Sequence, residues 1–205
     1  MINEFDSRAQ DWDKDITHFE RAQVIANELL AMVPLNPNIK KALEYGAGTG
    51  LLSFNLTEFF DEITMMDSSS EMVNVMRDKI SATQIKKMKP VFIDLEKVDY
   101  PTTFDIIYTQ MTLHHIEQPV SLLEKFYKML NPGGTVAIVD LYKEDGSFHG
   151  PNFNGHLGFD PQYLYNILTI SGFKNIRHKT CYTIRKTVQS GEIKDFPLFL
   201  IIAEK

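Results

Sequence analysis

The sequence feature that most constrains the fold is a glycine-rich turn at Gly46, Gly48 and Gly50. The residues before it, 39–45, are typical of a short strand, and residues 51–60 have the apolar spacing of a helix. Glycine is used where the backbone must take a positive φ or approach a ligand closely. A strand-to-helix turn also directs free N–H groups of the helix start toward whatever lies above it. We therefore expect an α/β fold with a ligand over this turn.

The spacing of the glycines separates the common ligands of such a turn. The dinucleotide fingerprint G-x-G-x-x-G needs a third glycine where the chain has Leu51 or Ser53. A phosphate-binding loop needs G-K-[ST], but Gly50 is followed by Leu51 and Leu52. The motif is instead E-x-G-x-G-x-G, beginning at Glu44. A carboxylate at that position would repel a pyrophosphate.

This motif resembles the first motif of the class I S-adenosylmethionine (SAM) dependent methyltransferases. The resemblance implies that Glu44 faces the ammonium group of SAM. It also implies that the glycines and Ala47 form a floor against the methionine part of the cofactor. The alternative is a tight glycine turn in another kind of α/β protein.

Composition limits the possible classes of protein. The chain has 205 residues, 43% of them hydrophobic, which suits one core, so we expect a single domain over residues 1–205. No apolar run is long enough to span a membrane, and the acidic start of the chain is unlike a secretory signal. Cys181 is the only cysteine, which favours a reducing, cytoplasmic location. The net charge of −6 argues against a nucleic-acid partner.

A second acidic residue follows the next predicted strand. Residues 62–66 have strand character and end at Asp67, 21 residues beyond Gly46, a position that suits contact with two ribose hydroxyls. Ser68 and Glu71 have capping-box spacing at the start of a helix. The stretch also resembles the second motif of the family, with Ser68 beside the cofactor. A plain helix cap is the alternative explanation for Ser68 and Glu71.

A third acidic residue, Asp94, follows a predicted strand at residues 90–93. The family resemblance implies that Asp94 accepts a hydrogen bond from the adenine amino group, while the N–H of Leu95 meets a ring nitrogen. A simple turn residue is the alternative for Asp94.

The order of the remaining elements also resembles the family. A fourth strand at 104–109 runs into Gln110 and Met111, which the resemblance places near the transferred methyl group. A fifth strand and a closing antiparallel hairpin follow. The resemblance thus implies a doubly wound α/β fold with a seven-stranded, mostly parallel sheet in the order 3-2-1-4-5-7-6.

The N-terminal segment, residues 1–38, contains a predicted helix from Ile16 to Val33 that Pro34 and Pro37 end. Its earlier part, from Phe5 to Asp13, resembles the segment that serves as a lid over the cofactor in the ubiquinone- and menaquinone-type branch of these methyltransferases. The resemblance makes Trp12 a cofactor contact. An amphipathic tail that packs Trp12 on the core is an equal alternative.

His114 and His115 are the candidate catalytic residues, because they follow the fourth strand beside the expected methyl position. A sulfonium methyl is already activated, so alignment matters most and a base is optional. At most one of the pair should face the pocket, and a structural role is the alternative. His149 and His156 are further contenders for substrate contact. These histidines lack fixed spacing with carboxylates, so no metal is expected.

The sequence therefore predicts a methyltransferase that passes a methyl group from SAM to a small-molecule acceptor and releases S-adenosylhomocysteine. One rival is a nicotinamide-dependent oxidoreductase, which the missing third glycine disfavours. The other is a SAM-binding protein without transfer activity, which shares every cofactor motif. The acceptor and the oligomeric state do not follow from the sequence.

Overall fold

The computed structural model describes residues 5–33 and 39–205. The helices are α1 (Ile16–Met32), α2 (Leu51–Asn55), α3 (Ser70–Thr83), α4 (Pro119–Met129) and α5 (Pro161–Ile170). The strands are β1 (Lys41–Tyr45), β2 (Glu62–Asp67), β3 (Met88–Phe92), β4 (Phe104–Gln110), β5 (Leu130–Leu141), β6 (Lys174–Thr187) and β7 (Ile193–Glu204). Short 3-10 helices cover Asp6–Lys14, Thr57–Phe59 and Leu113–His115. Within the described ranges, no helix is long and apolar enough to cross a membrane.

One seven-stranded sheet has the order β3-β2-β1-β4-β5-β7-β6, which confirms the predicted fold class. Strands β1 to β5 run parallel, and β7 pairs antiparallel with both β5 and β6. Two clusters of buried apolar side chains pack on the sheet. Central strands such as β4 and β5 are buried along most of their length, as expected of strands covered on both faces.

Several local predictions need correction. The cap of α3 is Ser69, whose hydroxyl accepts from the N–H of Met72, so the predicted capping pair of Ser68 and Glu71 is wrong. A carboxylate oxygen of Asp6 is a second acceptor at this helix start, and it accepts a hydrogen bond from the N–H of Glu71. The helix after the glycine turn is interrupted, because α2 ends at Asn55 and a 3-10 turn follows.

The ends of the first helix and the last strands also differ slightly from the prediction. Asp15 caps α1 by accepting from the N–H of Thr17, and the helix ends at Met32. The two prolines expected to end it lie outside the described residues. The hairpin strands are longer than predicted, since β7 begins at Ile193.

The parallel arrangement brings the carboxyl ends of β1, β2 and β4 to one edge of the sheet. The glycine turn, Asp67 and Gln110 therefore become neighbours although the chain separates them by 17 residues or more. Ligands of open α/β sheets bind at this edge.

Candidate cofactor and acceptor site

A cavity of about 870 Å³ lies at the carboxyl edge of the sheet. Its size is in the range of about 300–1,000 Å³ typical of small-molecule sites. The glycine turn, the ends of β1, β2 and β4, the N-terminal segment and the 3-10 turn at Leu113–His115 surround it. The predicted site residues that line it are Trp12, Glu44, Gly46, Ala47, Gly48, Asp67, Ser68, Asp94, Gln110, Met111, His114 and His115.

The glycine turn forms the floor of the cavity. Gly46 has a φ of 69°, and a Cβ at this position would lie 2.2 Å from the side chain of Thr112. Gly48 has a φ of 56°, and the atom nearest to a Cβ placed there is the indole nitrogen of Trp12, 3.9 Å away. Gly50 begins α2 with a φ of 84° but is not among the lining residues. The backbone geometry therefore requires glycine here, while only the first part of the turn faces the cavity.

Glu44 lies almost fully buried at the end of β1. Its carboxylate accepts hydrogen bonds from the N–H and the hydroxyl of Ser53, whose oxygen also bonds the hydroxyl of Tyr108. Burial raises the pKa of Glu44 to about 8, although the bonds from Ser53 oppose that rise. A cation bound beside this carboxylate would stabilise its charged form.

Asp67 holds the turn and the start of α3 together. One carboxylate oxygen accepts from the N–H of Gly48 at 2.7 Å, and the other accepts from the N–H of Ser69 at 2.8 Å. Burial raises its pKa to about 6 against the effect of these bonds. Each carboxylate oxygen has two lone pairs, so both retain capacity for a ligand hydroxyl.

Asp94 also lines the cavity. Its carboxylate pairs with Lys97 at 2.7 Å and accepts a hydrogen bond from the N–H of Glu96 at 3.0 Å. The side chain of Leu95 is fully buried in the core and does not line the cavity. Its backbone interacts with the hydroxyl of Tyr45.

Gln110, the last residue of β4, and Met111, which follows it, both line the cavity. The side-chain oxygen of Gln110 is buried and has no hydrogen-bond partner in the described part of the chain. Met111 adopts a φ of 55°, which is uncommon for a residue other than glycine, and its N–H donates to Val139 at 2.8 Å. The strand thus ends in a sharp bend that turns the chain toward His114.

The N-terminal 3-10 helix closes one side of the cavity. Asp13 accepts from the hydroxyl of Thr49 at 2.5 Å and pairs with Lys79 at 2.7 Å. Asp6 accepts from the hydroxyl of Ser69 at 2.6 Å. These contacts hold Trp12, which stacks on His18 with ring centroids 4.3 Å apart, over the glycine turn.

The histidines meet at the other end of the cavity. His114 is buried, and its Nδ1 lies 2.6 Å from a carboxylate oxygen of Asp140 at the end of β5. Its Nε2 is buried without a hydrogen-bond partner among residues 5–33 and 39–205. Burial lowers the pKa of His115 to about 3, with further contributions from His114, His149 and Arg8. The ring of His115 is therefore neutral at pH 7.

The other two histidine contenders have different positions. The ring of His149 lies 5.0 Å from that of His114 and lines the cavity. His156 does not line it, since its Nε2 bonds the carbonyl of Ile116 and its N–H bonds the carbonyl of His114. His156 thus supports the turn that carries His114.

Sequence reasoning missed several residues of the cavity. Arg8, Arg21 and Lys186 bring positive charge to its walls, and the Nε of Arg21 is buried without a partner in the described ranges. Asp140 was also missed, although a carboxylate at the end of a buried apolar strand was a usable signal. The cations gave no such signal, because the fold collects them from distant parts of the chain.

Comparison with known proteins identifies the domain. Residues 43–138 match the family model described as methyltransferase domain. Residues 43–138 form a methyltransferase domain. The class I SAM-dependent methyltransferase family recognised in the sequence is thereby confirmed, and SAM is the cofactor of that family.

Individual relatives show how far the similarity extends. The chain is 29% identical over 150 residues to an uncharacterized methyltransferase of Schizosaccharomyces pombe, with 65% of the chain and 53% of the relative covered. It is 31% identical over 157 residues to phosphoethanolamine N-methyltransferase 3 of Arabidopsis thaliana, covering 73% of the chain and 31% of the relative. A solved SAM-dependent methyltransferase from Aquifex aeolicus has a TM-score of 0.68 at 19% identity, with 97% of each chain covered. The chain thus spans about half, or less, of the two curated relatives.

Proposed function

We propose that this protein transfers a methyl group from SAM to a small-molecule acceptor. The observation that carries the proposal is that Glu44, Asp67 and Asp94 line one cavity over the glycine turn. Three carboxylates at three strand ends match a ligand with an ammonium, a ribose diol and an amino-substituted base. Bound SAM would supply an electrophilic sulfonium methyl group.

Each carboxylate has a proposed role that follows its surroundings. Glu44 faces the ammonium, because a buried carboxylate with a pKa near 8 gains most from a paired cation. Asp67 accepts from the ribose hydroxyls while its two backbone bonds keep it in place. Asp94 accepts from the adenine amino group. The predicted bond from the N–H of Leu95 would compete with the contact of Leu95 to Tyr45.

The remaining predicted contacts have supporting roles. Ser68, Gln110 and Met111 line the cavity, and the last two shortly precede the turn that carries His114 and His115. The unpartnered oxygen of Gln110 would accept a hydrogen bond from the ligand. Gly50 acts indirectly by setting the turn, since it does not line the cavity.

The N-terminal 3-10 helix acts as a lid, and Trp12 is its contact over the cofactor. Its bonds through Asp6 and Asp13 reach both α3 and the glycine turn, so they connect the lid to the ligand floor. A closed lid excludes water and aligns the reactants, which can contribute on the order of 7–11 kcal/mol to such a transfer. We propose that residues 1–205 belong to one domain that includes this lid.

His115 and His114 are the proposed catalytic residues at the acceptor end. The ring of His115 is neutral at pH 7, and the Nδ1 of His114 is held by Asp140. A neutral ring nitrogen can orient an acceptor by hydrogen bonding, whereas a pKa of about 3 makes His115 a weak base, so its proposed role is alignment rather than proton removal. Arg8, Arg21 and Lys186 favour an acceptor that carries negative charge. The name of the Arabidopsis relative, a phosphoethanolamine N-methyltransferase, is consistent with a phosphate-bearing acceptor.

Calorimetry with S-adenosylhomocysteine tests the cofactor site, and turnover on a panel of phenols, carboxylates, amines and phosphoethanolamine tests transfer. We expect one equivalent to bind and methyl transfer to at least one class of acceptor. Tight binding with no turnover across the panel would favour a SAM-binding protein without activity. An NADH fluorescence titration that shows binding would favour the oxidoreductase, against which the family match argues. The cytoplasmic location and the absence of a nucleic-acid partner stay predictions.

A further inference from the structure

Three histidines from two parts of the chain converge at the acceptor end of the cavity. His114 and His115 lie on the 3-10 turn after β4, and His149 lies on the loop after β5. Their ring centroids are 4.2, 5.0 and 5.2 Å apart, and their potential ligand nitrogens all lie within 4.8 Å of one another. We propose that these three residues bind a first-row divalent metal ion, Zn²⁺ foremost, with its fourth position open to the cavity.

The surroundings of His114 fit a metal ligand. Its Nδ1 bonds a carboxylate oxygen of Asp140 at 2.6 Å, and the other carboxylate oxygen accepts the N–H of His114 at 3.2 Å. A ligating histidine usually donates its second ring N–H to a carboxylate, which fixes the tautomer and the ring orientation. The Nε2 is then left with a lone pair, and this buried atom has no partner in the described ranges. A buried acceptor without a partner is costly unless something binds it.

The loop around His149 is anchored, so the third ring is held near the other two. Glu144 accepts from the N–H groups of Gly146 and Phe148, and Lys186 donates to the carbonyl of Phe148 at 2.6 Å. The ring of Phe153 stacks on His149 with centroids 3.9 Å apart. His149 is solvent-exposed on its outer side, which leaves a path for an ion to enter.

The distances require only a small rearrangement to form a site. Nitrogens bound to one tetrahedral Zn²⁺ at about 2.0–2.1 Å lie roughly 3.4 Å from each other. The present separations of at most 4.8 Å require the ligand atoms to approach one another by no more than about 1.4 Å. Three protein ligands and one open position are the arrangement of catalytic rather than structural zinc sites.

The charges nearby indicate what would occupy the open position. Arg8 and Lys186 line the same cavity as His149, so both cations would repel a dication bound there. An anionic fourth ligand offsets that repulsion. The metal would therefore hold an acceptor through a negatively charged oxygen beside the methyl position. This use of the site rests on the proposed function, whereas metal binding itself rests on the three rings. No metal was expected from the sequence, because the approach of His149 to His114 and His115 depends on the fold.

Cobalt absorption tests the site without any measurement of activity. Untagged full-length protein is freed of metal with a chelator and titrated with Co²⁺, and Zn²⁺ is then added. We expect one equivalent of Co²⁺ to give a visible band of tetrahedral intensity that Zn²⁺ removes. The band should be lost, or its midpoint weakened at least 100-fold, in His149→Ala. Asp140→Asn should weaken binding about 10- to 100-fold through the ring it orients.

His178→Ala is the matched control, since this exposed histidine on β6 lies outside the cavity, and its cobalt binding should equal that of the unchanged protein. Calorimetry with S-adenosylhomocysteine shows that each variant is folded and keeps its cofactor site. The proposal is overturned if the unchanged protein gives no cobalt band, or if His149→Ala binds Co²⁺ equally well. Cofactor binding without cobalt binding would reject the metal alone, and cobalt binding without cofactor binding would reject the methyltransferase proposal alone.

Discussion

Replacing Asp67 with asparagine separates the role of its charge in binding from its role in folding. The carboxylate accepts two backbone N–H groups, and both of its oxygens are proposed to accept ribose hydroxyls. A hydrogen bond to a charged group contributes about 1.5–3 kcal/mol. The asparagine retains one neutral acceptor, so we expect a loss of about 3 kcal/mol or more in binding. That corresponds to a roughly 100-fold weaker affinity for S-adenosylhomocysteine, at about 1.4 kcal/mol per tenfold.

The same substitution should change stability little. The pKa of Asp67 is raised from 3.8 to about 6, so keeping the carboxylate ionised at pH 7 costs on the order of 3 kcal/mol in the free protein. Asparagine removes that cost but leaves one backbone N–H facing its amide group, a loss of about 1–3 kcal/mol. We therefore expect the free energy of unfolding to stay within about 1–2 kcal/mol of its original value.

Calorimetry and urea unfolding of Asp67→Asn measure both quantities. Asp61→Asn is the matched control, because that side chain is 75% exposed and lies just before the same strand. Unchanged affinity in Asp67→Asn would refute the ribose assignment. A large loss of stability together with the affinity would show that Asp67 serves the fold rather than the ligand.

Three further predictions concern the turn, the buried acid and the lid. Gly46→Ala should lower the free energy of unfolding by about 1–3 kcal/mol more than Gly191→Ala, because both have positive φ but only the first Cβ meets a side chain; equal losses in urea unfolding would contradict this. Glu44 has its pKa raised from 4.5 to about 8, so the native state holds the extra proton and stability should fall as pH rises between these values. Binding of S-adenosylhomocysteine at pH 7 should then release this proton, which calorimetry in buffers of different ionisation enthalpy detects. Glu44→Gln should abolish the release. An absence of buffer dependence in the unchanged protein would refute the ammonium contact. Asp13→Ala should weaken that binding about fivefold, a loss of roughly 1 kcal/mol, while the exposed Asp11→Ala should not; equal affinities would count against the lid.

The sheet was predictable because each element has a local signal. The glycine turn, the buried strands and the helix ends at proline and glycine are all properties of short stretches, and the strand order followed from the family resemblance. The predicted cap of α3 was wrong because Ser68, Ser69 and Ser70 are chemically equivalent in the sequence. The backbone bond from Ser69 to Asp67 selects among them only once the fold exists.

The acceptor end of the site was the least predictable part. The cluster of His114, His115 and His149 depends on how the loop after β5 folds back over the sheet edge. The bond between His114 and Asp140 likewise joins two strand ends whose adjacency only the sheet defines. Residues that act through long-range proximity leave no periodic or spacing signal in a single sequence.

The central claim is that three carboxylates from three strand ends hold one cofactor. A crystal structure of the complex with S-adenosylhomocysteine tests it most directly. We predict one ligand molecule in the cavity, with its ribose hydroxyls on Asp67, its amino group facing Glu44 and its adenine amino group at Asp94. A ligand bound elsewhere, or bound in the cavity without contact to Asp67, would contradict the account.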